Sequence, residues 1–120
     1  MSRTSERAVS WLSPALKDFE DFPGPVRETV ANALSIAAEG GKAAISKPLR
    51  GCGAGLLEVR CRFGGDVYRA VYALQVGDDI WVIHVFQKKA HQGRATPLHH
   101  VELIAARSSR LKEMIRHGWK

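Results

Sequence analysis

Three segments between Leu56 and Lys89 place polar side chains at alternate positions, most regularly in residues 57–63. In residues 57–63 every second side chain is apolar, and the positions between them hold two arginines and a glutamate. In residues 68–72 and 80–89 the alternate positions hold Arg69, His84 and Lys88 together with apolar residues. Because successive side chains of a strand point to opposite faces of a sheet, the pattern predicts three strands.

Two short turns join the predicted strands and set their register. Gly64-Gly65 is a favoured two-residue hairpin turn, and Gly77-Asp78 is suited to a second one. The resulting cross-strand pairs are Arg60 with Arg69, Phe86 with Arg69, and His84 with Val71. Two arginines directly opposite each other destabilise a sheet. Such a pair indicates either a functional site or two solvated arginines on an exposed face.

This register divides the predicted sheet into a core face and a cationic face. The core face, which the helices should cover, carries Leu57, Val59, Cys61, Phe63, Tyr68, Ala70, Tyr72, Leu74, Trp81, Ile83 and Val85. The cationic face carries Glu58, Arg60, Arg62, Arg69, His84 and Lys88, mixed with Val71, Ala73, Val82 and Phe86. A slip of one residue would exchange the two faces of a strand, and the hydrophobic pattern argues against such a slip.

Helical periodicity precedes the three strands. Residues 7–12 predict a short first strand, and Ser13-Pro14 is typical of a helix start. This short helix should direct Leu16 and Phe19 inward. A second helix is predicted from Pro25 to about Glu39, with a buried stripe of Val26, Val30, Leu34, Ala37 and Ala38. The two helices together predict a helical hairpin.

The remaining segments are an irregular connection and a final helix. Residues 42–55 are basic and rich in glycine, and no helix follows them to make a phosphate-binding turn. Thr96-Pro97 begins the last helix, whose buried stripe is Val101, Ile104, Ser108, Leu111 and Ile115. The fold class predicted is α+β, with a helical hairpin and a C-terminal helix packed on a small, mainly antiparallel sheet.

Composition narrows the class of protein. With 120 residues, 45% of them hydrophobic and 25% charged, one folded domain over residues 1–120 is expected. No apolar run approaches the roughly 18–20 residues of a membrane span, and the N-terminus lacks the apolar core of a signal peptide. The two cysteines, Cys52 and Cys61, do not form a CxxC pair. Cys61 falls on the apolar side of a strand, which favours a buried free thiol over a disulfide. These features favour a cytoplasmic protein without a membrane partner.

The charge balance favours a polyanionic partner. The net charge is +6 and the isoelectric point is about 9.8. Residues 88–94 form a basic loop with two lysines and Arg94, and His99-His100 follows at the start of the last helix. The loop is either solvated or in contact with nucleic acid. A zinc site is disfavoured, because adjacent histidines diverge on a helix.

The chain resembles the RelE/HigB-type toxins of bacterial type II toxin–antitoxin modules, within the RelE/ParE superfamily, and most closely their phage-derived HigB-like branch. The segments that carry the resemblance are Lys47-Pro48-Leu49-Arg50-Gly51, Leu57-Glu58-Val59-Arg60, Tyr68-Arg69-Ala70-Val71-Tyr72, Ile83-His84-Val85-Phe86-Gln87-Lys88-Lys89 and Gly93-Arg94-Ala95-Thr96-Pro97. Their order and spacing match the family from Trp11 to about Leu111. The resemblance implies the small RelE-like α+β fold with a curved sheet.

The resemblance also implies an activity, an mRNA endonuclease acting at the ribosomal A site. Family members direct the ribose 2′-hydroxyl onto the neighbouring phosphate, a reaction that needs no metal or other cofactor. The implied catalytic residues are Arg60, Arg69, Lys89, His99 and His100, and the implied RNA-binding residues are Arg62, His84, Lys88 and Arg94. The general base is open between the histidines near the last helix, His84 and Glu58, since this region has no tyrosine.

The resemblance implies partners and leaves alternatives. The expected partners are the ribosome with its mRNA and a cognate antitoxin, usually a helix-turn-helix DNA-binding protein. One alternative is a ParE-like inhibitor of DNA gyrase, which would not conserve the basic positions of an RNA-cleaving site. Another is a non-catalytic, phage-derived module that binds nucleic acid.

Overall fold

A five-stranded sheet with helices on both faces makes up the fold. The computed structural model describes residues 7–89 and 95–118. Its elements are β1 (Val9–Trp11), α1 (Ser13–Glu20), α2 (Gly24–Ala38), β2 (Ser46–Pro48), β3 (Leu56–Phe63), β4 (Asp66–Val76), β5 (Asp79–Lys89) and α3 (Leu98–Arg116). The strand order is β1-β5-β4-β3-β2. Only the β1–β5 pair is parallel among these strands, so the predicted α+β class with a mainly antiparallel sheet is confirmed.

The hairpin between β3 and β4 has the predicted register. Gly64 and Gly65 have φ angles of 61° and 85°, the left-handed region that a tight hairpin turn requires and that glycine occupies without strain. Arg60 consequently lies opposite Arg69. On the other side of β4, Arg69 lies opposite Phe86, again as predicted.

The register between β4 and β5 departs from the prediction over a few residues. Val71 pairs with His84, but Tyr72 pairs with Val82, so β5 has one extra residue, Ile83, at this point. A second irregularity between Ala73 and Val76 restores the predicted register at the turn. Neither turn is slipped, but the faces predicted for Trp81, Val82 and Ile83 are wrong. A β-bulge lets Ile83 and His84 face the same side in succession and moves Val82 to the other side.

Helices α1 and α2 cover one face of the sheet and form the larger core with it. This core contains the predicted stripe of α2 together with apolar side chains of β3, β4 and β5. Val82 belongs to it, whereas Trp81 and Ile83, predicted for this face, pack on the opposite one. In α1 the inward residues are Ala15 and Phe19, four residues apart on one face, and Leu16, predicted to point inward, is exposed.

Helix α3 covers the face that the alternation predicted to be cationic and exposed. Its predicted stripe is confirmed: Ile104, Ser108 and Leu111 are buried, and Val101 and Ile115 pack against the same cluster. The sheet contributes Leu56, Val71, Ala73, Ile83 and Phe86 to this second core. This face of the sheet is buried because its apolar residues, which lie among the charged ones, pack against the apolar stripe of α3.

Two further expectations need correction. The connection between α2 and β3 contains β2, a short edge strand whose Ser46 pairs with Val59, so it is not wholly irregular. Cys61 is free as predicted but only half-buried, and the buried free cysteine is Cys52. None of the helices in the described segments combines the length and apolarity needed to cross a membrane.

Candidate functional site

The two opposed arginines share one buried carboxylate. Nε of Arg60 lies 2.8 Å from Oε1 of Glu58, and Nη1 of Arg69 lies 3.4 Å from Oε2. The side chain of Arg60 is 39% exposed, whereas those of Arg69 and Glu58 are 2% and 3% exposed. Glu58 therefore relieves the repulsion expected of the arginine pair and holds Arg60 at the surface above a buried ion pair.

Arg69 connects the sheet to the start of α3. Its Nη1 donates to the Thr96 hydroxyl at 3.1 Å, and its guanidinium carbon lies 5.6 Å from the centroid of the Phe86 ring. Burial lowers the pKa of Arg69, an effect that Glu58 opposes and Arg60 strengthens. An arginine stays charged under such conditions, so Arg69 places a positive charge beneath the N-terminal end of α3.

The two lysines at the end of β5 point to different faces. Lys88 is 6% exposed, and its Nζ donates to the carbonyl of Ala95, just before α3. Burial lowers the pKa of Lys88, and the charges of Arg69 and Arg60 lower it further. Lys89 lies on the opposite face, exposed and 3.5 Å from a carboxylate oxygen of Asp66. The structure thus brings Lys88 into the cluster and leaves Lys89 outside it.

Three side chains link β5 to α3 beside the arginines. His84 is 3% exposed, with Nε2 2.8 Å from Nδ1 of His100 and Nδ1 2.9 Å from Nη1 of Arg107. Burial and the nearby charge of Arg107 lower the pKa of His84 to about 4. Burial, His99 and Arg69 lower the pKa of His100 as well. Both imidazoles are therefore neutral near neutral pH.

Aromatic stacking orients the histidine pair at the start of α3. The rings of His100 and Phe86 stack with centroids 4.1 Å apart at an interplanar angle of 19°. The His99 ring lies 4.0 Å from that of His100. His99 is exposed and His100 partly exposed, so this stack forms one rim of the cluster and Arg60 forms another.

The fold brings together most of the predicted site residues. The residues that lie under or beside the start of α3 are Arg60, Arg69, Lys88, His84 and His100. Arg62 is exposed on the same face of β3, two residues beyond Arg60. Arg94 lies outside the described residues. Over the ranges 7–89 and 95–118, no group of three or more histidine, cysteine or acidic side chains is placed to hold a metal ion.

Four further residues complete the cluster, and the sequence did not predict their contacts in it. Glu58, one of the candidate bases, anchors both arginines. Its position two residues before Arg60, on the same face of the strand, was a usable signal. Phe86, an apolar residue among the charges of the predicted cationic face, is buried between Arg69 and His100. Thr96 and Arg107 carry no local signal for their contacts, because the packing of α3 on the sheet decides both.

A family model described as "Phage derived protein Gp49-like" matches residues 17–109. The crystal structure of the isolated E. coli RelE toxin is similar, with a TM-score of 0.54 and 25% sequence identity. That similarity covers 88% of this chain and 98% of the RelE chain. No curated protein matches the sequence.

Proposed function

Because the chain belongs to the Gp49-like family of phage-derived proteins and has the fold of a RelE-like toxin, we propose that it is an mRNA endonuclease that acts on the ribosome. Its family and fold support a toxin of a type II toxin–antitoxin module. RNA cleavage, dependence on the ribosome and a cytoplasmic site of action are parts of the proposal.

One observation carries the proposal: cations and imidazoles converge where the sheet meets the start of α3. Arg60 is exposed beside the buried charges of Arg69 and Lys88, and His99 and His100 form the neighbouring rim. The N-terminus of α3 adds backbone N–H groups and the positive end of a 19-residue helix. Such a surface suits a phosphate group flanked by ribose.

The chemistry proposed is transesterification within the RNA. The ribose 2′-oxygen loses its proton to an imidazole of the His99–His100 pair and attacks the adjacent phosphorus. The O2′–P bond forms, the P–O5′ bond breaks, and the products are a 2′,3′-cyclic phosphate and a 5′-hydroxyl end. The 5′-oxygen takes up a proton from Lys88, whose lowered pKa makes it a better acid than an ordinary lysine.

The remaining cations hold the charge that develops on the phosphate. Arg60, fixed by Glu58, contacts the non-bridging oxygens, and Arg69 stabilises the same charge from beneath. Arg62 contacts the RNA backbone farther along β3. Lys89, expected to contribute to catalysis, is assigned no catalytic role in this proposal, because it faces away from the cluster and pairs with Asp66.

The partners proposed are those of a ribosome-dependent toxin. The ribosome presents the mRNA, and a cognate antitoxin, of the helix-turn-helix DNA-binding kind, covers the basic surface and represses the operon. The net charge of +6 suits a more acidic antitoxin, since opposite charges raise association rates.

The test uses the full chain in a translating extract, with the 5′ ends of the mRNA mapped. The wild type should make cuts in phase with codons, and the new ends should become ligatable only after phosphorylation, because they carry 5′-hydroxyls. Arg60→Ala should lower cleavage by about 10²–10³-fold, the loss typical of one charge-stabilising donor. Arg110→Ala, which removes an exposed arginine of α3 outside the cluster, is the matched control and should cut normally.

Two outcomes would reject the proposal. Intact mRNA together with gyrase-dependent DNA breaks would establish the ParE-like alternative. Intact mRNA without DNA damage, from a folded wild-type protein, would favour the non-catalytic module. The burial of Arg69 under Thr96 is the observation that favours this last alternative, since a buried guanidinium also serves a purely structural role.

A further inference from the structure

We propose that Arg107 and His84 fix the tautomer of His100, so that His100 donates a hydrogen bond to the RNA phosphate and His99 accepts the 2′-hydroxyl proton. The RNA roles rest on the proposed function. The tautomer follows from hydrogen-bond geometry alone and is testable without RNA. Arg107 and His84 are thereby positioning residues, which act through His100.

The first step is the contact between Arg107 and β5. Nη1 of Arg107 lies 2.9 Å from the carbonyl oxygen of Ile83 and 2.9 Å from Nδ1 of His84. A guanidinium has donors only, and each Nη carries two hydrogens, so Nη1 donates to both atoms. The bulge at Ile83 makes this contact available, because it turns Ile83 and His84 toward α3 in succession.

The second step is the proton on His84. Its Nδ1 accepts from Arg107, so the single proton of the neutral ring is on Nε2. The pKa of about 4 that burial and Arg107 give His84 keeps the ring neutral near neutral pH. Nε2 of His84 therefore donates to Nδ1 of His100 across 2.8 Å.

The third step is the proton on His100. Nδ1 of His100 accepts, so neutral His100 carries its proton on Nε2, the nitrogen that has no hydrogen-bond partner among the described residues. A second proton would have to enter at Nδ1, where it would meet the N–H of His84. The surroundings of His100 also oppose a positive charge, because burial, His99 and Arg69 all lower its pKa.

These constraints separate the roles of the two adjacent histidines. A neutral imidazole with its outer nitrogen protonated cannot act as a base there, but it can donate to the phosphorane oxygens. His99 is exposed, and within the described ranges no hydrogen bond fixes its tautomer. Its ring centroid lies 4.0 Å from that of His100, with the two planes tilted by 39°, next to the phosphate that His100 would bind. His99 is thus free to present a bare nitrogen to the 2′-hydroxyl.

The tautomer is measured on the full chain with ¹⁵N-labelled histidine. Long-range ¹H–¹⁵N correlation spectra near pH 7 distinguish a bare ring nitrogen from a protonated one. We expect bare Nδ1 and protonated Nε2 in both His84 and His100. A protonated Nδ1 on neutral His100 in the wild type would overturn the proposal without any variant.

Variants test the origin of the tautomer. Arg107→Met removes the donor but keeps the length of the side chain, and His100 should then show a mixture of tautomers. His84→Gln can accept from Arg107 through its oxygen and donate to His100 through its nitrogen, so it should preserve the wild-type tautomer of His100. Arg110→Met, one turn away on α3, is the matched control. An unchanged single tautomer in Arg107→Met would reject the role of Arg107.

Cleavage assays test the division of roles. His99→Gln should lower mRNA cleavage by about 10²–10⁴-fold, the usual loss of a general base. His100→Gln keeps a donor and should retain cleavage within about tenfold, whereas His100→Ala should lose about 10²–10³-fold. Equal losses in both glutamine variants would reject the separation of roles. If the wild type does not cut at all while its tautomer is as expected, the proposed function fails and the tautomer assignment stands.

Discussion

At the residue scale, buried Glu58 and buried His84 give the candidate site its electrostatic character. Glu58 binds two arginines that would otherwise repel each other across the β3–β4 pair. Removing one partner of such a buried ion pair typically costs about 3–5 kcal/mol, because the remaining charge is left uncompensated. Arg69→Ala is therefore a poor test of catalysis, and the exposed Arg60 is a better one.

The pKa of His84 makes the folded protein sensitive to acid. The pKa is lowered from 6.5 to about 4 in the folded state, so the unfolded chain binds a proton more readily between these values. The contribution of neutral His84 to the free energy of unfolding is fully present above pH 6.5, the pKa of His84 in the unfolded chain. It is lost as the pH falls toward 4, the pKa in the folded state. We expect a decrease of about 2 kcal/mol in the free energy of unfolding between about pH 7 and about pH 5.

Urea unfolding at the two pH values checks this expectation. His84→Gln should remove most of that decrease, since glutamine reproduces the hydrogen bonds but does not titrate. His117→Gln, which replaces an exposed histidine at the end of α3, should leave the decrease unchanged. A wild-type decrease that survives in His84→Gln would show that other groups cause it.

At the element scale, α3 converts the second face of the sheet from a solvated surface into a core. Its apolar stripe packs on Val71, Ala73 and Phe86, and its first residues meet Arg69 and Lys88 through Thr96 and Ala95. The charged cluster thus depends on the seating of one helix.

Loss of apolar packing under α3 should weaken the fold more than loss of a similar side chain on its outer surface. Ile104 is fully buried beneath the helix, whereas its neighbour Leu103 is 38% exposed. Ile104→Ala should lower the free energy of unfolding by about 2–5 kcal/mol. Leu103→Ala should lower it by less than about 1 kcal/mol. Equal destabilisation of the two variants in urea unfolding would contradict the packing described for α3.

At the scale of the whole molecule, the net charge of +6 favours RNA before any specific contact forms. Arg60 and Arg62 lie on the face of the proposed site, whereas Arg110 and Arg116 lie on the exposed side of α3. Two double variants with equal net charge can therefore separate local contacts from overall charge.

The salt dependence of binding to single-stranded RNA should differ between the two double variants. Each phosphate contact contributes about 0.7 to the slope of log affinity against log salt concentration. Replacing Arg60 and Arg62 by alanine should make the slope shallower, reducing its magnitude by about 1.4. Replacing Arg110 and Arg116 by alanine should lower it by less than about 0.5, because they contact no phosphate in the proposed complex. Equal slopes, measured by fluorescence anisotropy, would place the RNA elsewhere.

The sequence by itself determined the three helices, the strands other than the short β2, and the order in which they follow each other. Alternation and helical periodicity are local properties, and Gly64-Gly65 sets the pairing of Arg60 with Arg69 because only a tight hairpin joins strands at that spacing. The buried stripe of α3 from Val101 to Ile115 was likewise predictable, because its apolar residues recur at the helical spacing.

Only the tertiary structure decided what covers each face of the sheet. Three features depend on residues that are distant in sequence. They are the bulge at Ile83, the burial of Arg69 and Lys88 under α3, and the contacts that lead from Arg107 through His84 to His100. No local pattern encodes them, because each depends on how α3 is seated on the sheet. The cationic positions were predicted from sequence, and their conversion from an exposed face into a partly buried site came from packing.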